Sequence, residues 1–174
     1  MSEIVTRARA VRMLVFDVDG VLTDGSLFFG DDGQEYKAFN SRDGHGIKML
    51  RAAGVEAGII TGRSSQVVLH RMRNLGITRI YQGAEDKLAA FHALLATEKL
   101  EPAEVAYMGD DIVDLPVLRR CGLAITVPNA PEEVMARCHY VTRIGAGQGA
   151  AREVCEMIMR AQGSWAAQLA IYDR

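Results

Sequence analysis

The chain has 174 residues, 49% of them hydrophobic and 24% charged, with a formal net charge of −2. That length gives room for one domain with a sizeable core, read here as residues 1–174, and the balance is that of a soluble globular protein. A near-neutral charge excludes a general nucleic-acid binder, which carries a basic excess, and no apolar run approaches the ~20 residues of a membrane span. The cysteines Cys121, Cys138 and Cys155 form no Cys-x-x-Cys pair and read as reduced thiols in or near the core. The first ten residues carry Glu3, Arg7 and Arg9 and no apolar segment of the signal-peptide kind, so the expected location is cytoplasmic.

In chain order, residues 1–10 read as a short leader, helical in part. Met13-Leu-Val-Phe16 is an uninterrupted apolar run that stops at Asp17, the signature of a strand buried on both faces. Two β-prone runs around the Asp31-Asp32-Gly33 turn predict a hairpin over about 25–39. Its aromatics Phe28, Phe29, Tyr36 and Phe39 are many for a small hairpin, which is marginal by itself. The expected cover is the chain's own surface or another subunit. Asn40 to Gly44 reads as a loop, followed by a helix to about Ala53 with Gly54 at its end. Val55 to Ile60 is a second core strand ending at Thr61-Gly62-Arg63. Ser64 is the expected cap of the next helix, whose inner face carries Val67, Val68, Met72 and Leu75. Arg79 to Tyr81 is a short strand, and Asp86 caps a helix with Leu88, Phe91, Leu94 and Leu95 on one side. Val105 to Met108 is a further strand, ending at Gly109-Asp110-Asp111-Ile-Val-Asp114. A helix to about Arg120, a strand Leu123 to Thr126, a helix from Pro131, a short strand at 139–141 and a last helix burying Ala151, Val154, Cys155, Ile158 and Met159 complete the pattern. Residues 163–174 form a tail with no clear period, and disorder is one reading of it. Strands alternating with helices predict an α/β fold around a mainly parallel sheet.

In such sheets ligands sit beyond the carboxyl ends of the strands, and the polar residues at those ends form a coherent set. Asp17 is the candidate nucleophile for a phosphoryl group. Asp19, two residues on, is placed to protonate a leaving oxygen and later to deprotonate water. Two carboxylates facing a phosphate repel it, so a cation is required, and Mg²⁺ takes a few carboxylates, phosphate and water as ligands. Asp110 completes such a site with Asp17, with Asp111 or Asp114 nearby; of these two, Asp111 is expected nearer the metal's waters. Thr61 and the Gly62 amide are donors to a phosphoryl oxygen at a helix start. Lys87 holds phosphoryl charge and orients Asp17. Arg42, Lys48, Arg63 and Arg71 are suited to a substrate carboxylate and hydroxyls. The four histidines show no metal-ligand spacing and read as structural, and Asp24 reads as a turn residue.

Asp17-x-Asp19-Gly-Val-Leu-Thr-Asp, Thr61-Gly62-Arg63, Lys87 and Gly109-Asp110-Asp111-x-x-Asp114, in that order, resemble the four motifs of the haloacid dehalogenase superfamily of phosphotransferases. The resemblance implies a three-layer Rossmann-like fold and hydrolysis through an aspartyl-phosphate. The superfamily places cap domains after the first or the second motif. Here those intervals hold a hairpin and one helix, then one helix and one strand, so no cap is expected. Cap-less members of this kind form tetramers whose neighbouring subunits cover each site. Further stretches, Lys37-Ala-Phe-Asn-Ser-Arg-Asp-Gly-His-Gly-Ile47, Tyr81-Gln-Gly83 and Tyr140-Val-Thr-Arg143, resemble cap-less phosphatases of eight- or nine-carbon keto-sugar acid phosphates. An octulosonate 8-phosphate stands ahead of a sialic-acid-type 9-phosphate, and a non-catalytic tetrameric scaffold is the reading from another class. By that resemblance Asp17, the Asp19 carbonyl and Asp110 hold Mg²⁺. Substrate meets Asp19, Asn40, Ser41, Arg42, Asp43, Gly44, Lys48, Gly62, Arg63, Arg71 and Lys87.

Overall fold

The computed structural model describes residues 2–174. Helix α1 (Glu3–Ala10) starts at Ser2, whose hydroxyl accepts from the Val5 amide. Strand β1 (Met13–Phe16) is buried at all four positions, as its unbroken apolar run requires. The hairpin of β2 (Phe28–Phe29) and β3 (Glu35–Tyr36) pairs antiparallel and stands apart from the main sheet. Then follow α2 (Ser41–Ala52), β4 (Glu56–Ile60), α3 (Gln66–Asn74), β5 (Arg79–Tyr81) and α4 (Lys87–Glu98). Next come β6 (Val105–Met108), a 3₁₀ turn Ile112–Asp114, α5 (Leu115–Leu118), β7 (Leu123–Thr126), α6 (Glu132–Met135) and β8 (Tyr140–Val141). Helices α7 (Ala150–Gln162) and α8 (Trp165–Ala170) end the chain.

Six strands form one parallel sheet in the order β5-β4-β1-β6-β7-β8. Helices flank it, with α1, α2 and α7 packed together and α4 against α5. The register decides where the chemistry falls. Phe16 lies beside Ile59 on one side and Met108 on the other. The three central strands therefore end at one level, and Asp17, Thr61 and Asp110 emerge together. Among the described residues no helix is long and apolar enough to cross a membrane.

Three expectations need correction. Ser41 to Gly44 is not a loop but the first turn of α2, with Asn40 as its cap accepting from the Arg42 amide at 2.8 Å. Gly44 and Gly46 lower the helix propensity of this turn and mask it in the sequence. Ser65, not Ser64, is the cap position of α3. The tail is not without order: α8 forms because Trp165 lies under the guanidinium of Arg160 (4.5 Å) and near that of Arg152 (5.8 Å), while Gln168 is buried. Contacts of this one-residue kind leave no period to read.

Helix α7 illustrates how the elements depend on one another. Its cap position is Gly149, which has no side chain to offer. The carboxylate of Asp43, on α2, supplies the missing acceptor and takes the Arg152 amide at 2.7 Å. Replacing Asp43 by alanine is expected to cost about 1–2 kcal/mol of unfolding free energy, the usual range for a lost cap, with Asp43→Asn retaining most of it. Urea titration of the two variants measures this; equal stability of wild type and Asp43→Ala would refute the cap.

Candidate active site

Asp17 leaves β1 buried, its Oδ1 accepting the Val18 amide at 2.6 Å and its Oδ2 the Lys87 ammonium at 2.6 Å. Lys87 is the first residue of α4, fixed there because Asp86 accepts the amides of Leu88 and Ala89. Its Nζ also lies 2.7 Å from Asp114 Oδ1. Asp114 is fully buried: its Oδ1 also accepts the Tyr107 hydroxyl at 2.6 Å, and its Oδ2 takes the amides of Asp110 (3.0 Å) and Asp111 (3.2 Å). Tyr107 was absent from the sequence expectations; its only signal is a polar tip within a wholly buried strand, which demands a partner.

One carboxylate oxygen from each of Asp17, Asp110 and Asp114 lies within 4.8 Å of the other two. Against three negative charges stands one lysine. Burial, then repulsion by Asp114, raises the Asp17 pKa to about 6 despite Lys87. Burial, then Asp114 and Asp17, raises that of Asp110 to about 7. Burial opposes the Lys87 ammonium, but Asp114 and Asp17 outweigh it and raise its pKa. Asp110 Oδ1 is buried and has no hydrogen-bond partner. A side chain on Gly20 would sit 2.0 Å from Asp110 Oδ2, so glycine there keeps the space over that carboxylate open. An uncompensated negative cluster with an unpartnered oxygen fits a divalent cation. Asp111 is exposed and caps the 3₁₀ turn, its Oδ1 accepting from the Ile112 amide at 2.7 Å.

The remaining candidates form a rim. Thr61 is buried and Gly62 exposed at the end of β4. Asp19 pairs with Arg63 at 3.7 Å and with Lys37, which follows β3. The sequence reading missed Lys37. Its signal is alternation: Glu35 and Lys37 share the strand face opposite Tyr36. Arg71 passes across Gly44, where a side chain would sit 2.2 Å from its guanidinium, and reaches the Asn40 carbonyl at 3.3 Å and the ring of Phe39. Ser41, Arg42 and Lys48 lie on the exposed side of α2, Arg42 along a groove with Arg143, Arg152 and Arg160. The Asp43 carboxylate is committed to α7. No cap covers this rim: β1 and β4 are joined by the hairpin and α2 alone, and β4 and α4 by α3 and β5.

A parallel sheet with acids on its central strand ends and a lysine at the following helix start defines a haloacid dehalogenase-like hydrolase, and the model of that family matches residues 74–154. A 3-deoxy-D-manno-octulosonate 8-phosphate phosphatase of Yersinia pestis is 48% identical over 161 residues, covering 92% of this chain and 86% of that protein. The chain therefore belongs to the 3-deoxy-D-manno-octulosonate 8-phosphate phosphatase family. Among solved structures, a probable YrbI-family phosphatase from Pseudomonas syringae pv. phaseolica superposes with a TM-score of 0.97 at 49% identity, covering 99% of this chain and 98% of that one. The phosphatase of Moraxella catarrhalis, in complex with a magnesium ion, a phosphate ion and a KDO molecule, does so with a TM-score of 0.97 at 42% identity, covering 99% of each chain.

The raised carboxylates give a pH signature. Folding favours their protonated forms, so their stabilising contribution is complete below the ordinary value of 3.8 and is lost as pH rises through about 6 and 7. Mg²⁺ binding offsets that loss. At a hundredfold excess over Kd it is worth about 2.7 kcal/mol, on the order of 5–10 °C in Tm for a chain of this size. The rise in Tm from EDTA to Mg²⁺ should be large at pH 8 and small at pH 5. Equal increments at the two pH values would refute the cluster as the cation site.

Proposed function

We propose that this protein is a Mg²⁺-dependent phosphatase that hydrolyses 3-deoxy-D-manno-octulosonate 8-phosphate to the free sugar acid and phosphate, in lipopolysaccharide synthesis. The observation that carries the reading is the meeting of Asp17, Lys87, Asp110 and Asp114 at the ends of β1 and β6 in a chain so similar to phosphatases of that substrate.

In the proposed reaction a carboxylate oxygen of Asp17 attacks phosphorus. The bond between phosphorus and the sugar oxygen breaks, and Asp19 gives that oxygen a proton. Water then attacks phosphorus of the aspartyl-phosphate, losing a proton to Asp19, and the Asp17 carboxylate departs. Asp17, Asp110 and the Asp19 carbonyl would hold Mg²⁺, which when bound supplies the countercharge between carboxylates and phosphate. Lys87 stays charged because Asp17 and Asp114 flank it, and it offsets phosphoryl charge beside the nucleophile. Thr61 and the Gly62 amide donate to phosphoryl oxygens. Asn40, Arg63 and Arg71 line the approach, Asp43 and Gly44 support it from beneath, and Arg63 and Arg71 present guanidinium forks to a sugar carboxylate.

The same reading includes a homotetramer in the cytoplasm. Phe28, Phe29 and Tyr36 are each more than half exposed on the hairpin, a costly arrangement for a lone chain. Arg42 and Lys48 face outward from α2 and are proposed to serve a neighbouring copy.

Phosphate release in Mg²⁺ should show a strong kcat/KM preference for the octulosonate 8-phosphate over a sialate-type 9-phosphate and a hexose phosphate. Asp17→Asn should abolish turnover, and Asp19→Asn should slow it by about 10²–10⁴-fold with folding intact. Comparable slow turnover of all three esters would overturn the substrate assignment, and wild-type turnover by Asp19→Asn the acid/base role. Light scattering at micromolar concentration should give four chains per particle; a fully active monomer would refute the tetramer.

A further inference from the structure

The ion pairs between the hairpin and the strand ends form a closed set, two of whose members, Lys37 and Glu35, have no part in the proposed reaction. The Lys37 side chain has no accessible surface, although the hairpin that carries it is open. Its ammonium contacts Asp19 Oδ1 and lies 3.1 Å from Glu35. From the other side Arg63 lies 3.0 Å from Glu35 and 3.7 Å from Asp19 Oδ2. Asp19, Lys37, Glu35 and Arg63 thus alternate in charge around a small ring with no net charge.

Enclosing an ammonium is expensive unless it is paired and hydrogen-bonded, and here both partners are carboxylates. The two oxygens of Asp19 are held differently. Oδ1 is bound by Lys37, whereas Oδ2 faces Arg63 beyond hydrogen-bonding distance. A carboxylate pinned through one oxygen has its plane fixed and its other oxygen free. That is what a group passing a proton to a defined atom requires, because a freely rotating acid loses the advantage of orientation.

We propose that Lys37 is a positioning residue for Asp19: it holds Oδ1, with Glu35 anchoring its ammonium, so that Oδ2 is presented to the leaving oxygen of the phosphate ester. The inference rests on the reading of Asp19 as acid and base. It makes the hairpin part of the catalytic apparatus, through Lys37 on its second strand.

Leaving-group dependence separates this role from a purely structural one. A sugar alkoxide needs a proton as it leaves; a nitrophenolate hardly does. Lys37→Met, similar in length and uncharged, is expected to lower kcat on the octulosonate 8-phosphate by about 10²-fold, with KM changed less than kcat. On 4-nitrophenyl phosphate the same variant should lose less than about 10-fold. Lys37→Arg should recover part of the sugar-phosphate rate. Asp19→Asn provides the reference pattern. If Asp19→Asn shows the selective loss and Lys37→Met loses equally on both esters, or on neither, the inference is overturned while the acid/base reading survives. If Asp19→Asn itself shows no selectivity, that reading falls first. Thermal melts of each variant identify any loss that comes from unfolding.

Discussion

Asp17, Asp110 and Asp114 crowd three carboxylates together, one oxygen of each within 4.8 Å of the other two, with Lys87 as the one ammonium between Asp17 and Asp114. Like charges at such range in a dry setting repel strongly, and the raised pKa values of Asp17 and Asp110 are the outcome. The fold tolerates the cluster because both oxygens of Asp17 and both of Asp114 have donors. Asp114 is the most buried of the three and the most completely satisfied, with Lys87, Tyr107 and two amides around it. Asp110 keeps an unpartnered oxygen. Burial thus sorts three chemically identical groups: Asp114 fixes Lys87, Asp17 faces both Lys87 and the cleft, and Asp110 is left wanting a cation.

That sorting depends on the sheet. Flanked by β4 and β6 in register, β1 cannot slide without drawing Arg12 or Asp17 into the positions its four buried apolar residues fill. Asp17 therefore has a fixed height relative to Asp110, and the start of α4 brings Lys87 to the same level. The hairpin is built in the opposite way. Its strands are two residues long, its aromatics are exposed, and the ion pairs joining it to the sheet run through Asp19 and Arg63. On the proposed reading the sheet carries the phosphate chemistry and the hairpin serves the leaving group.

How much of this was legible in the sequence follows from where each interaction runs. Strands β1, β6 and β7 were readable because burial on both faces leaves unbroken apolar runs, and α4 because Asp86 caps it locally. The acids at the strand ends followed from those strands. What escaped was carried by contacts between distant positions. Asp43 and Arg152 are 109 residues apart, so a helix capped by another helix's side chain leaves no local mark. The bond between Lys87 and the buried Asp114 spans 27 residues and left no local mark either. Lys37 looked like any hairpin lysine, since its enclosure arises only when Asp19 and Glu35 close around it.

Lys87 and Arg63 show why the two halves of the site are held so differently. Both are cations between carboxylates, yet the Lys87 side chain is 4% exposed and that of Arg63 43%. An exposed pair contributes roughly 0–1 kcal/mol, so Arg63 exchanges one carboxylate for another at little cost. Removing a partner from a buried pair costs several kcal/mol because the remaining charge is stranded. A group that meets the same phosphate in every turnover gains from being locked. On the proposed reading Arg63 must accept and release a sugar acid, and it gains from a partner it can leave, which Glu35 supplies.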